Sequence, residues 1–294
     1  MITTSATGAT WTVLALINWG TEYLASKGIE SARLNIELLL SHLLNCSRVQ
    51  LYTNFDQPLT PVDLAALKKL LHRRVAREPL QYILGSTNFL GLELTVDRRA
   101  LIPRPETELL IEEIIIDAAQ HQRRSYLDIG TGSGNIPIAI AKRVPDAHID
   151  SVDISEDALA LAAFNVRSHG LGERCSLHQG DVMSPDWTPP RKSYHVIVSN
   201  PPYISQSEFD ELAPEIRHFE PAIATTDNAD GLSFYSRIAD LAKRFLAEGG
   251  KVIVEIAYNQ EKDVSGIFSG EGFGKIDVRK DYAAIPRCLM ISRI

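Results

Sequence analysis

The sequence is poor in the residues that build disulfide frameworks and metal sites. Among 294 residues there are three cysteines, an odd number, and none lies in a C-x-x-C pair. This usage excludes a disulfide-stapled secreted domain and indicates a reducing compartment, so we expect a cytoplasmic protein. The eight histidines show no metal-ligand spacing and no H-E-x-x-H pattern, so we predict no metal site.

Long apolar runs and an excess of positive charge are missing as well. The stretch from Trp11 to Trp19 is apolar but short, and the first Lys or Arg is Lys27. It matches neither a signal peptide nor a membrane span, so we expect no membrane association. The formal net charge of −7 disfavours a protein that wraps nucleic acid, because phosphate contacts require a basic surface.

The amino-terminal part has helical periodicity, and we predict a helical bundle over residues 1–85. Thr10, Ser31 and Thr60 are each placed to cap a helix, and Pro61 suits the first helical position. The basic residues of the third predicted helix are Lys68, Lys69, Arg73, Arg74 and Arg77. They form either a solvated face or a docking surface for an acidic or nucleic-acid-associated partner.

The composition changes after this bundle. Residues Phe89 to Val96 alternate loosely between apolar and polar side chains, which predicts a strand or hairpin. In Leu101–Glu108, here called the strap, prolines on both sides of Arg104 favour an extended backbone. The strap is either a rigid connector or one wall of a site. We assign 86–108 to this hairpin and linker and 109–294 to a catalytic domain.

A glycine-rich segment follows the predicted strand Ser125–Ile129. It reads Gly130-Thr131-Gly132-Ser133-Gly134, here called the glycine loop, and precedes an apolar helix. Such glycines let the backbone approach a ligand, and the helix amino terminus offers free N–H groups. The spacing is G-x-G-x-G rather than G-x-G-x-x-G, which disfavours a nicotinamide-dependent oxidoreductase. Asp128 is expected either to orient the loop or to approach a cationic ligand.

Polar groups also follow the next two predicted strands. The strand Ala147–Val152 ends at Asp153, where an acid can accept both hydroxyls of a ribose. The strand Cys175–His178 leads to Gly180-Asp181-Val182, where Asp181 suits an adenine amine and Val182 the ring face. Open α/β sheets bind ligands at the carboxyl ends of their strands, so these positions together predict a site for an adenosine-bearing cofactor.

A fourth strand end has the most distinctive chemistry. The apolar run Tyr194–Ser199 predicts a buried strand, and Asn200-Pro201-Pro202-Tyr203, here called the amide turn, stops it. The turn offers an amide side chain, carbonyls without competing N–H groups and an aromatic ring, which suits a flat NH2-bearing group. Taken alone, it is equally compatible with a loop that only terminates a strand.

The remaining chain is predicted to complete the sheet. The elements we expect are a helix over Gly231–Leu246, a strand over Lys251–Ile256, a helix over Gln260–Phe268 and a strand pair over Lys275–Val278 and Cys288–Ser292. Glu220-Pro221 and Asn228–Gly231 are predicted to form a polar loop that faces the same edge, and we assign it no role.

Four segments resemble the peptide chain release factor glutamine methyltransferases, within the class I S-adenosylmethionine-dependent methyltransferases. They are Glu78–Gly85, Ile102–Glu108, Asp128–Gly134 and Ser199–Ile204, and the resemblance covers nearly the whole chain. It implies an α/β, Rossmann-like, seven-stranded sheet with an antiparallel last strand and an amino-terminal helical domain that docks the partner. It also implies S-adenosylmethionine as cofactor and N5 methylation of the glutamine in the Gly-Gly-Gln motif of class I release factors.

The same resemblance assigns roles to individual residues. The cofactor-binding residues it implies are Gly130, Thr131, Gly132, Ser133, Gly134, Asp153, Asp181, Val182 and Asn200. The substrate-binding residues it implies are Asn200, Pro201, Pro202, Tyr203 and Phe89, with Asn200, Pro201 and Tyr203 catalytic. In this reading the Asn200 side-chain oxygen and the Pro201 carbonyl accept the two amide hydrogens, while Tyr203 and Phe89 cover the amide. Many relatives have an aromatic residue where this chain has Leu90, and Trp where it has Val182.

Two other readings remain open on the residues alone. An adenine-N6 methyltransferase acting on DNA or RNA would use the same turn for an amino group on a flipped base. The acidic total disfavours it, and no direct nucleic-acid contact is expected. A non-catalytic module that keeps the cofactor pocket for stability is the other possibility.

Overall fold

The computed structural model describes residues 11–122 and 124–293, and the chain divides into two compact units. The first extends to Gly85 and the second begins at Ser86. In the described part of the first unit the helices are α1 (Val13–Ser26), α2 (Ala32–Leu44), α3 (Arg48–Thr53), α4 (Pro61–Val75) and α5 (Leu80–Leu84). They enclose an apolar core that includes Leu16, Ile36, Leu39 and Leu67. The short helices α3 and α5 were not expected from the sequence.

The predicted helix caps have three different outcomes. Thr10 lies outside the described residues, and α1 instead begins after Thr12, whose Oγ1 accepts a hydrogen bond from the Ala15 amide at 3.3 Å. Ser31 precedes α2, but its backbone is left-handed and its side chain makes no capping bond with the described residues, so that prediction is wrong. Thr60 is confirmed, because it forms a reciprocal capping box with Asp63.

The arginines of α4 and the residues just after it serve to hold the first unit together. Arg73 pairs with Glu78 at 2.8 Å, and the buried Arg74 donates to Asn35 Oδ1 at 2.8 Å. Arg77 donates to the carbonyl of Gly28 at 3.0 Å. Much of the basic stretch is therefore structural, and neither of the two surface interpretations describes it fully.

The second unit contains every strand among the described residues. Its strands are β1 (Ser86–Phe89), β2 (Leu92–Thr95), β3 (Ser125–Ile129), β4 (His148–Asp153), β5 (Cys175–Gln179), β6 (Tyr194–Ser199), β7 (Leu246–Glu255), β8 (Lys275–Lys280) and β9 (Pro286–Ser292). Its helices are α6 (Glu108–Gln120), α7 (Asn135–Arg143), α8 (Glu156–Ser168), α9 (Gln206–Phe209), α10 (Pro214–Phe219), α11 (Ser233–Phe245) and α12 (Glu261–Gly270), with short 3-10 turns at Pro105–Thr107 and Ala222–Ala224.

Within the described residues, seven of these strands form one sheet in the order β5-β4-β3-β6-β7-β9-β8. The pairs from β5 to β7 are parallel, whereas β9 runs antiparallel to both of its neighbours. The predicted seven-stranded sheet with an antiparallel last strand is therefore confirmed. Every described helix is too short or too polar to cross a membrane.

Both faces of the sheet are buried, as the parallel strands require. Along β3, Tyr126 belongs to an apolar cluster that also contains Leu110 of α6. Its neighbour Leu127 points the other way, into a cluster that contains Ile238 of α11 and Val264 of α12. Since helices cover both faces, the edge formed by the strand ends is the part of the sheet left open to a ligand.

The strands β1 and β2 form the expected hairpin, separate from the large sheet. Leu90 and Gly91 join them, and both have positive φ values, 51° and 79°. Two successive left-handed residues are typical of the tight turn that matches strand twist. Phe89 and Leu94 project from the hairpin into the apolar cluster of the large sheet, so the hairpin packs as part of the second unit.

Candidate active site

A cavity of about 330 Å³ lies at the carboxyl-end edge of the parallel strands. It brings together the strap, the glycine loop after β3, Asp153 after β4, residues 180–183 after β5 and Asn200 after β6. Residues from the segment 220–228, here called the mouth loop, complete the wall. The structure thus places side by side the strand ends that the sequence marked separately.

The glycine loop adopts a conformation that suits glycine. Gly130, Gly132 and Gly134 have φ values of 77°, 54° and 83°. A Cβ atom on Gly134 would lie 3.3 Å from the Cβ of Ala162, so α7 and α8 approach closely at this residue. The backbone of the loop can therefore line the cavity directly, as a ligand bound at the start of α7 requires.

Asp153 is oriented by two backbone amides. Its Oδ2 accepts from the Gly132 N–H at 2.9 Å, and its Oδ1 accepts from the Ser155 N–H at 3.0 Å. A carboxylate can accept about four hydrogen bonds, so each oxygen keeps capacity for another donor. Asp153 lines the cavity, and its position is the one expected for an acid that binds a ribose diol.

Asn165 of α8 connects the glycine loop to the hairpin. Its Nδ2 donates to the carbonyls of Ser133 and Thr95, both at 2.9 Å, and its Oδ1 accepts from the Thr95 amide at 2.9 Å. The Ser133 hydroxyl is buried, and it has no partner among the described residues. Ser133 is one of the residues that line the cavity, so its hydroxyl lies beside the space that a cofactor would occupy.

The segment after β5 is held from behind by Arg237 of α11. Arg237 Nε donates to the Val182 carbonyl at 2.6 Å, and Nη2 donates to the Ser184 carbonyl at 2.9 Å. A Cβ atom on Gly180 would lie 2.3 Å from Trp187 Nε1, so the indole packs directly on this glycine. Asp181 and Val182 both line the cavity, where the sequence placed an adenine pocket.

Asn200 is fixed by a residue of the strap. Its Nδ2 donates to Thr107 Oγ1 at 3.0 Å, and Thr107 Oγ1 donates to Glu255 Oε2 at 2.6 Å. Thr107 and Glu255 are each 1% exposed, and sequence reasoning attached no role to either. Thr107 meets Asn200, and Glu255 meets Thr107, only through the fold, and a Glu at the end of a strand has no local signal for such a contact.

Two residues predicted to contact the substrate, Tyr203 and Phe89, lie outside the described lining of the cavity. Tyr203 is not among the described residues that line the cavity. Its hydroxyl donates to Glu255 Oε1 at 3.1 Å. Burial, and then the Glu255 carboxylate, raise the pKa of Tyr203, so this hydroxyl stays protonated. Phe89 is 1% exposed in the apolar core, where the hairpin packs, and it too lies outside the lining. By contrast, Pro201 and Pro202 line the cavity as expected.

The strap and the mouth loop are joined by a buried carboxylate. Glu220 Oε1 accepts from Arg104 Nη2 at 2.7 Å, and Glu220 Oε2 accepts from the Ile102 amide at 3.3 Å. Glu220 is 6% exposed, so these bonds replace much of its contact with water. The strap is therefore a wall of the cavity, and the sequence had left both that choice and the role of Glu220 undecided.

Two buried carboxyls beside the cavity have unusual proton affinities. Burial raises the pKa of Asp128 to about 7, against the opposing effect of the Thr131 and Ser151 hydroxyls. Burial likewise raises the pKa of Glu255 to about 7, although hydrogen bonds from Thr107 and Tyr203 favour its charged form. Both groups are therefore poised to change charge near neutral pH.

The sheet order, with a cavity between a glycine loop and an acid after β4, defines a class I methyltransferase that uses S-adenosylmethionine. The hMettl16 catalytic domain, solved in complex with MAT2A 3′UTR hairpin 1, has the same fold. Its TM-score to this chain is 0.57 at 14% identity, and the match covers 93% of this chain and 91% of that one.

Sequence comparisons define the particular family. Residues 15–85 match the family described as PrmC N-terminal domain, and residues 105–218 match the methyltransferase small domain. The release factor glutamine methyltransferase of Geobacter sulfurreducens is 43% identical, over 94% of this chain and 95% of that protein. That of Rhodopirellula baltica is 39% identical, over 96% of this chain and 97% of that protein. The chain belongs to the release factor glutamine methyltransferase family.

Proposed function

We propose that this protein methylates the side-chain nitrogen N5 of the glutamine in the Gly-Gly-Gln motif of class I peptide chain release factors. The observation that carries this proposal is the orientation of Asn200 in the cavity wall. Because Nδ2 of Asn200 is bonded to Thr107, its Oδ1 is the atom free to accept a hydrogen from a bound carboxamide. The names of the similar proteins from Geobacter and Rhodopirellula support the same substrate.

The residues of the cavity fit the methyl donor. The glycine loop would hold the amino-acid part, Asp153 the ribose hydroxyls, and Asp181 with Val182 the adenine. The buried Ser133 hydroxyl, which lacks a partner among the described residues, is an additional donor or acceptor for this ligand. S-adenosylmethionine supplies, when bound, a strongly electrophilic methyl group on a sulfonium sulfur.

The amide turn supplies orientation. An amide nitrogen is a poor nucleophile because its lone pair is delocalised, so the protein must hold it in line with the methyl group. Asn200 Oδ1 and the Pro201 carbonyl would each accept one hydrogen of the substrate NH2 group. The residue after Pro201 is Pro202, which has no N–H of its own at this position. These two bonds aim the nitrogen and favour its pyramidal form, and the proton released on transfer leaves to water.

The partner and the compartment follow from the same assignment. We assign the docking of the release factor to the helical unit of residues 1–85, because the cavity unit supplies the chemistry. We propose the cytoplasm as the protein's compartment, and the three cysteines, all free thiols, support a reducing environment. Direct binding of nucleic acid is not part of this function.

The decisive experiment follows a labelled methyl group. Purified protein and labelled S-adenosylmethionine are incubated with a class I release factor, with the same factor carrying alanine for the motif glutamine, and with DNA and RNA. We expect a mass increase of one methyl group on the Gly-Gly-Gln peptide of the intact factor alone. Label on adenine in DNA or RNA, with none on the release factor, would favour the adenine-N6 alternative instead.

A further inference from the structure

A continuous chain of hydrogen bonds starts at the amide turn and runs into the protein interior. Asn200 Nδ2 donates to Thr107 Oγ1 at 3.0 Å, and Thr107 Oγ1 donates to Glu255 Oε2 at 2.6 Å. The Tyr203 hydroxyl donates to the other oxygen, Glu255 Oε1, at 3.1 Å. The carboxylate of Glu255 is thus held at both oxygens by residues that flank the cavity.

The direction of these bonds follows from the number of protons that each group has. A threonine hydroxyl has one proton, and Thr107 donates that proton to Glu255. Toward Asn200 the hydroxyl can therefore only accept, so Nδ2 must face Thr107. The Asn200 oxygen is then directed to the opposite side of the amide. An acceptor at Glu255 thus determines which end of the Asn200 amide is available for a ligand.

We infer that Thr107 and Glu255 are positioning residues that orient the Asn200 amide with its oxygen toward the methyl-accepting nitrogen. The inference rests on the proposed function only for the identity of that nitrogen. Glu255 is not among the described residues that line the cavity, so it acts through Thr107 rather than on the substrate. Of the three residues Asn200, Thr107 and Glu255, only Asn200 would contact the reacting group, and the other two orient its side chain.

The hydrogen bond that Glu255 accepts from Thr107 sets the direction of the hydrogen-bond series, and protonation of Glu255 is the event that can change it. The groups that face Glu255 are Thr107 and Glu106 of the strap, Tyr203 of the amide turn, Arg287 and Cys288 of β9, and Tyr235 of α11, whose hydroxyl donates to the Glu255 carbonyl. Glu106 raises the pKa of Glu255 and Arg287 lowers it, but burial dominates and brings the pKa to about 7. The charged form accepts from both hydroxyls.

Protonation reverses the arrangement. A protonated Glu255 can donate to Thr107 Oγ1, which frees the threonine proton to turn toward Asn200. The amide then rotates to accept that proton through Oδ1, and Nδ2 faces the cavity. Asn200 Nδ2, a donor, would then face the NH2 group of the substrate, which also donates. Turnover should therefore fall as the pH falls through about 7, by at most tenfold per pH unit.

Paired substitutions at Thr107 test the orienting role. Thr107→Val removes the hydroxyl with little change of shape, and we expect kcat to fall about 100-fold while the Kd for S-adenosylmethionine, measured by calorimetry, stays within about twofold. Thr107→Ser restores the hydroxyl and should recover most of kcat. Thr21→Val is the matched control, because the Thr21 hydroxyl donates to the Ile17 carbonyl in the first unit. Equal losses in the Val and Ser variants, or no loss in Val, would overturn the inference.

Glu255→Gln tests whether protonation of the Glu255 carboxyl causes the loss of turnover at low pH. Glutamine can still accept from Thr107 through its oxygen but cannot change charge in this range, so the acid limb of the pH profile of kcat should disappear while activity above pH 8 changes by less than about tenfold. An unchanged acid limb would contradict the role of Glu255. Thermal unfolding of each variant reports whether the fold is retained.

A readout without cofactor or turnover separates this inference from the proposed function. In the cofactor-free protein, the side-chain NH2 signals of Asn200 are assigned by their loss in Asn200→Asp and followed by NMR as a function of pH. We expect them to shift with an apparent pKa near 7, and to lose this shift in Thr107→Val and Glu255→Gln. If these signals did not change with pH, the inferred coupling from Glu255 through Thr107 to Asn200 would be refuted. A release factor that is not methylated would refute only the proposed function.

Discussion

Arg104 Nη2 lies 2.7 Å from Glu220 Oε1, although 116 positions separate the two residues along the chain. The second oxygen of Glu220 accepts from the Ile102 amide, so one carboxylate joins the strap at two points to the start of the mouth loop. The strap and the mouth loop both contribute residues to the cavity wall. This ion pair therefore joins two of the elements that surround the cavity.

Replacement of Glu220 should loosen that connection. Glu220→Gln leaves Arg104 without its charged partner, and we expect a loss of about 1–3 kcal/mol in the free energy of unfolding, with weaker binding of S-adenosylmethionine. Denaturant unfolding and calorimetry measure the two effects. Asp97→Asn is the control, since the Asp97–Arg99 pair is about 40% exposed on both sides and should contribute less than about 1 kcal/mol. Equal effects of the two substitutions would argue against a joining role.

Asn200→Ala should separate catalysis from cofactor binding. Loss of the acceptor for the substrate NH2 group is expected to lower kcat by about 10²–10³-fold, comparable to the loss of one preorganised hydrogen bond at a reacting centre. The Kd for S-adenosylmethionine should change little. Asn259→Ala alters an exposed asparagine outside the lining and should leave both values unchanged. A parallel loss of turnover and cofactor affinity in Asn200→Ala would count against the assigned role.

Asp153→Asn should have the opposite profile. The amide keeps an oxygen for the Gly132 N–H but removes the negative charge that would bind two ribose hydroxyls. Hydrogen bonds to a charged group contribute about 1.5–3 kcal/mol, so the Kd for S-adenosylmethionine should rise about 10- to 100-fold. At saturating cofactor, kcat should recover to near its original value. Calorimetry that shows an unchanged Kd would place the ribose elsewhere.

Asp128 makes the stability of the protein depend on pH. Burial raises its pKa in the folded protein to about 7, from 3.8 in the unfolded chain. Between these values the folded protein keeps a proton that the unfolded chain has released. The contribution of protonated Asp128 to the free energy of unfolding is therefore complete at low pH. It is lost as the pH rises toward 7, by about 1.4 kcal/mol per pH unit.

Asp128→Asn should abolish this dependence. Urea unfolding measures the difference in free energy of unfolding between the variant and the original protein. This difference should change by about 1.4 kcal/mol per pH unit from about pH 5 to pH 7. Asp227→Asn provides the comparison. Burial raises the pKa of Asp227, but hydrogen bonds from Ser233 and nearby amides outweigh it and lower the pKa, so no slope is expected in this window. A constant difference for Asp128→Asn would contradict the assignment.

Local patterns were sufficient for most elements of the second unit. The run Tyr194–Ser199 was predicted as a strand and forms β6, and the Gly130–Gly134 segment follows β3 as expected. Hydrophobic patterning and glycine spacing act within a few residues, so they can be recognised without knowledge of the fold. Short helices such as α3 were missed, because their stability comes from packing more than from their own sequence.

Two residues predicted to contact the substrate pack away from the cavity lining for the same reason. Phe89 and Tyr203 have aromatic rings that suit a flat ligand, but the residues that surround them, not their chemistry, decided where they point. Ser31 failed as a cap for a similar reason, because its backbone is left-handed in the folded chain. In each case the residue type was compatible with a role, but tertiary contacts determined the position of the side chain or backbone.

The amino-acid sequence by itself determined the strand ends, the glycine loop and the amide turn, because each depends on backbone preferences of adjacent residues. Only the tertiary structure decided that Thr107, Glu220 and Glu255 belong to the site. Their partners are 93, 116 and 148 positions away in the bonds Asn200–Thr107, Arg104–Glu220 and Thr107–Glu255. A contact at such a separation exists only after the chain has folded, so no local pattern could indicate it.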